Sequence, residues 1–110
     1  MTDALKALQD QYNLLTTNLP KLLAACQGDA SKMDAINTQY AASQANYTDC
    51  VNKIFNASDG SVQKLVAQMK EQETAIKKAV ANIGAITGVI TAITTAVQTG
   101  AALAGLAVKG

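Results

Sequence analysis

The sequence predicts an all-α fold, an antiparallel bundle of three or four long helices. Three observations carry the prediction. Large apolar residues recur at alternating intervals of three and four along most of the chain, which is the period of one helix face. Alanine is abundant, and it loses no side-chain entropy in a helix. Only one proline (Pro20) interrupts the 110 residues, and the clusters rich in Gly, Ser and Asp are few and widely spaced. A chain of this length fits a single domain over residues 1–110 and can bury about 65% of its unfolded surface.

The first helix is expected over about residues 3–27, on the stripe Leu5, Leu8, Tyr12, Leu15, Leu19, Leu22 and Cys26. Pro20 falls inside it. Because the phase of the stripe is preserved, a kinked continuous helix is preferred to a new helix capped by Asn18. "QGDAS" (27–31) then supplies a helix-ending Gly28 and a capping Asp29 or Ser31, although the heptad phase also admits one helix through Gly28.

The second helix is expected over about 31–56, on Met33, Ile36, Tyr40, Ser43, Tyr47, Cys50 and Ile54. "NASDGS" (56–61) breaks the pattern with Gly60 and the capping residues Ser58, Asp59 and Ser61. A third stripe follows through Val62, Leu65, Met69, Gln72, Ile76, Ala79, Ile83, Ile86, Ile90, Ile93 and Val97. It reads as two helices, about 61–84 and 86–108, broken near Gly84 or Gly88, or as one continuous helix of roughly 48 residues. No period-two strand pattern competes.

Residues 79–108 hold no charged side chain, whereas residues 61–78 carry Lys64, Lys70, Glu71, Glu73, Lys77 and Lys78. On a helix the uncharged segment has three lines of residues. Ile83, Ile86, Ile90, Ile93 and Val97 form an apolar face, and Thr87, Thr91, Thr94, Thr95 and Gln98 form a polar but uncharged one. Gly84, Gly88, Ala92, Ala96, Gly100 and Ala104 form a small-residue line that opens with a GxxxG pair and suits close helix contact. A water-facing helix normally carries Lys or Glu. This polar face therefore fits deep burial, an oligomer centre or a pore wall. The length exceeds the ~20 residues that span a bilayer, with Lys77, Lys78 and Lys109 as flanking cations.

Other chemistry has little to stand on. The chain has no histidine, so Ser-His-Asp and Cys-His sites cannot form within it. The eight carboxylates are dispersed, and two cysteines without histidine do not make a zinc site. Gly100 and Gly105 have phosphate-loop spacing, but Leu106 and Ala107 stand where Lys and Ser/Thr are required. "NYT" (46–48) and "NAS" (56–58) match the N-glycosylation pattern by chance. All nine basic residues are lysine and they are scattered, which argues against nucleic acid. Neither a hairpin nor one long helix brings Cys26 and Cys50 within the ~7 Å that a disulfide needs.

The expected function is accordingly non-enzymatic, without cofactor, metal or small-molecule substrate. Residues 79–108 are expected to be sheltered in a soluble form, by the protein itself or by self-association, and to insert or line a pore on meeting lipid. A charged amphipathic part followed by an Ala/Gly/Ile/Thr-rich segment resembles, in composition only, helical pore-forming toxins and secreted translocators. The competing expectation is a soluble, self-associating interaction module in which 79–108 is permanent core. A third is a membrane anchor at 79–108. The opening "MTDALKALQDQYNLL" has no basic region leading into an apolar run. Synthesis in the cytosol without a cleavable signal peptide is therefore expected, with export by a signal-less route or membrane association to follow.

Overall fold

The computed structural model describes residues 2–109. Four helices, α1 (Asp3–Ala25), α2 (Ala30–Thr48), α3 (Gly60–Ala81) and α4 (Ile86–Ala104), pack into a bundle of 44 × 21 × 18 Å. Two short strands, β1 (Lys53–Ile54) and β2 (Val108–Lys109), pair antiparallel at one end.

Each helix starts and stops for a local reason. Thr2 caps α1 by accepting from the Leu5 N–H, Asp29 caps α2 through Lys32 N–H, and Asp59 caps α3 through Ser61 N–H. The Lys32 amide also holds the Asp29 carboxyl below its ordinary pKa. Gly28 has φ of 89°, the left-handed conformation that lets the chain reverse between α1 and α2. Helix α1 runs through Pro20, which lies on the exposed side. The continuous reading of about 3–27 therefore holds, with the helix ending at Ala25.

The two hairpins, α1–α2 and α3–α4, meet with α1 beside α3 and α2 beside α4, and α1 also touches α4 across the centre. Two core clusters give the chain directions. Leu8 of α1, Val62 and Met69 of α3 and Leu103 of α4 share one end; Leu22, Ile76, Val80 and Val89 share the other. Partners within a hairpin are thus antiparallel, and neighbours between hairpins run parallel. The connection from 49 to 59 therefore crosses the end of the bundle diagonally.

The ends of α2 and α4 differ from the sequence expectation. Helix α2 stops at Thr48, not near residue 56, and the chain leaves it through tight turns. In a continued helix Ile54 would face inward. The observed path instead buries Phe55, the larger side chain, and leaves Ile54 exposed. Helix α4 likewise stops at Ala104, not 108, because residues 108–109 pair with β1 and so form strands where none was expected. Of the two readings of the third stripe the two-helix one holds, with the break where Gly84 lies: α3 ends at Ala81 and α4 begins at Ile86. Folding back lets the apolar face of α4 reach the core, which a continuous helix would leave in water.

Cys26 lies in the core cluster at one end and Cys50 in the cluster at the other; both are buried free thiols. Burial raises the pKa of the Cys50 thiol.

Candidate functional site

Helix α4 is long and apolar enough to cross a membrane, so the way the bundle holds it defines the site. Its inward face is Val89, Ile93, Ala96, Val97, Gly100 and Leu103. This face mixes two of the lines expected from sequence. Ile93 and Val97 come from the isoleucine line, Ala96 and Gly100 from the small-residue line. Ile83, Ile86, Ile90 and Ala92 are half-buried and pack at the edge of the same core. Val89 and Leu103 were not singled out in the sequence. They lie on the face selected when the loop 82–85 resets the helical phase.

The small-residue line does not act as one surface. Gly84 lies in the loop before α4, so Gly84 and Gly88 do not form a helical GxxxG pair. A Cβ on Gly88 would meet nothing, whereas one on Gly100 would come within 2.8 Å of Gln11 Oε1. Close approach is therefore required at the end of α4 near Gly100 and not at its start.

Three amide side chains, one from each of the other helices, converge on one turn of α4. Gln11 of α1 donates to the Ala96 carbonyl at 2.8 Å, and Asn46 of α2 donates to the Val97 carbonyl at 3.4 Å. Gln72 of α3 donates to Thr99 Oγ1 at 3.0 Å. Gln72 was visible as a polar member of an apolar stripe; Gln11 was not, because glutamine beside a stripe reads as surface. The energetics of this seat are balanced. Each bond contributes about 0.5–1.5 kcal/mol. Gln11 Oε1 and Gln72 Oε1 are buried without a protein donor, at about 1–3 kcal/mol each. The seat thus orients α4 more than it stabilises it. Gln72→Leu is expected to raise stability by about 1 kcal/mol, because it removes a buried unpaired oxygen while Thr99 keeps its bond to the Thr95 carbonyl. Thermal unfolding followed by circular dichroism checks this, and a lower midpoint would mean that the bond outweighs the desolvation.

The outward face of α4 is Thr87, Gly88, Thr91, Thr95, Gln98, Ala101 and Ala102, all exposed. Thr94, expected on the same face, is half-buried. No charge occurs on this helix, whereas α1, α2 and α3 each carry at least one lysine and one carboxylate. The Thr91 hydroxyl donates to the Thr87 carbonyl at 3.0 Å and Thr99 to Thr95 at 3.1 Å, so these groups are satisfied within their own helix.

Two open clefts lie along the seam where α1 meets α3. One of about 200 Å³ is lined by Asp10, Gln11, Leu14, Met69, Glu73 and Ile76, and another of about 270 Å³ by Ala4, Phe55, Val62 and Val66. Two carboxylates that line the first are ion-paired toward solvent, Asp10 with Lys6 at 3.0 Å and Glu73 with Lys77 at 3.1 Å. Among the described residues no three potential metal ligands come together. No known protein family, curated protein or solved structure matches this chain.

Proposed function

We propose that this chain is a non-enzymatic, membrane-interacting protein that carries α4 sheltered in a helical bundle and delivers it to lipid, where it inserts or lines a pore. The observation that carries this reading is the exposed face of α4, which has no charged side chain along its 19 residues. Water-facing helices gain solubility from lysine and glutamate, and this one forgoes both. On that face the Thr91 hydroxyl already bonds to the Thr87 carbonyl of its own helix, which lowers the cost of placing it in hydrocarbon. The backbone of α4 also keeps its internal bonds on leaving the bundle. The donors from Gln11 and Asn46 only add to carbonyls at Ala96 and Val97.

A second reading is a soluble bundle that associates with copies of itself. It is favoured by the small residues Gly88, Ala101 and Ala102 on the exposed face, where a second helix can approach closely. Flotation of detergent-free protein with liposomes at neutral pH separates the two. The protein is expected to rise with the lipid and to release an entrapped dye. A soluble helical species that stays at the bottom and sediments as an oligomer would replace the membrane reading by self-association.

A further inference from the structure

We infer that the end of the bundle closed by β1 and β2 is the surface that first engages a bilayer containing anionic lipid. Lys53 and Lys109 would rest on the headgroups, and Val51, Ile54, Leu106 and Val108 would enter the interface. This deepens the reading of α4 as the element delivered to lipid, and rests on it, by naming the end that docks and the lipid class it selects.

The exposed large hydrophobic residues among those described are Val51 (44% exposed), Ile54 (54%), Leu106 (36%) and Val108 (59%). All four lie in the two segments that close this end, and none lies on a helix. The interior does not need them, since Cys50 and Phe55 already fill the core beneath. Ile54 pairs with Val108 across the ladder, and Lys53 pairs with Lys109. Successive side chains of a strand alternate in direction, so the ribbon has an aliphatic face and a cationic face.

The lysine pair points to the charge of the occupant. Like charges directly opposite one another destabilise a strand pair. The ion pairs among the described residues use Lys6, Lys32 and Lys77 and leave Lys53 and Lys109 without a carboxylate. Asp59 is turned back to cap α3, and Asp49 makes no ion pair with either lysine. An anionic surface removes the repulsion that the fold leaves in place. Lysines beside short exposed aliphatics also match the depth profile of a bilayer interface, with apolar groups below and ammonium groups at the phosphates. Only residues 105–107 separate α4 from β2, so docking here brings the end of α4 to the interface.

The test uses the whole chain with two vesicle types, phosphatidylcholine alone and equimolar phosphatidylcholine and phosphatidylserine. Each lysine beside an anionic leaflet is worth about a fivefold gain in partitioning. The wild-type protein is therefore expected to bind the serine-lipid vesicles at least about 10-fold more tightly. K53Q/K109Q is expected to lose about 30-fold on those vesicles and little on the neutral ones. This variant relieves a like-charge contact and so keeps the fold. I54S/V108S is expected to weaken binding to both vesicle types. Equal wild-type binding to the two vesicle types, or undiminished binding by K53Q/K109Q, would overturn the inference. If K53Q/K109Q still releases dye like the wild type, the docking surface is wrong and α4 delivery stands. If wild-type binding depends on the lysines but no dye is released, docking stands and delivery of α4 fails. Selective binding to an acidic peptide with none to either vesicle would assign this end to a protein and overturn the inference.

Discussion

Replacing Thr91 and Thr95 together by lysine is expected to leave the bundle folded and to abolish insertion into lipid. Both positions are exposed, so the folded state accommodates the longer side chains. Exposed substitutions of this kind usually change stability by about 0.5 kcal/mol or less. Lysine also has a better helix propensity than threonine. In a bilayer the balance reverses. Thr91 and Thr95 sit near the middle of Ile86–Ala104, where snorkelling to either surface is hardest. A lysine at the centre of a membrane helix costs about 2.5–3.5 kcal/mol, so two cost about 5–7 kcal/mol, roughly four orders of magnitude in the insertion equilibrium. Circular dichroism should give wild-type helicity and dye release should vanish. Wild-type dye release in the double variant would remove α4 from the membrane reading. Loss of helicity would mean that this face is covered in an assembly, as in the self-associating alternative.

Gly100→Leu is expected to lower stability by about 3 kcal/mol and to increase membrane activity at the same time. Gly100 is buried, and its missing Cβ is the space occupied by Gln11 Oε1 at 2.8 Å, with Asn46 Nδ2 at 3.4 Å. Gln11 cannot simply swing away, because its amide nitrogen is bonded to the Ala96 carbonyl. Overpacking costs about 1–3 kcal/mol, and losing the bonds from Gln11 and Asn46 adds about 1 kcal/mol each. Replacing a mid-helix glycine returns only about 0.5–1 kcal/mol. The unfolding midpoint should fall by about 10–20 °C. A seat that no longer holds α4 should release dye at lower protein concentration. Gly88→Ala is the control: nothing lies within reach of its Cβ, so the helix gains about 0.5–1 kcal/mol without disturbing the seat. If dye release falls along with stability in Gly100→Leu, the sheltered state is not what restrains α4.

Much of the helical architecture was legible from spacing. Leu8, Leu15, Leu22, Cys26, Ile36, Val62, Met69, Ile76, Ile93 and Val97 were expected inside and are buried. The turns at Gly28 and at Asp59–Gly60 were legible because a left-handed glycine and side-chain caps have local chemistry. The break at 82–85 was less so. The heptad phase passes through Ile83 and Ile86 without a slip, and periodicity alone cannot tell one helix from two whose stripes both face the core. The seat of α4 was the least legible. Gln11, Asn46 and Gln72 are far apart in the chain and converge only when three helices surround a fourth.

The sequence by itself determined that the chain is helical, where most of its turns fall, and that one segment carries no charge, since these properties depend on residues a few positions apart. Only the tertiary structure decided which side of that segment is sheltered. The diagonal connection from 49 to 59 sets α1 beside α3 and α2 beside α4. With α4 placed between α2 and α3 and touching α1, close packing needs small residues at Ala96 and Gly100, and that requirement turns Thr87, Thr91 and Thr95 outward. Such a requirement arises between helices distant in sequence, so no local pattern could carry it.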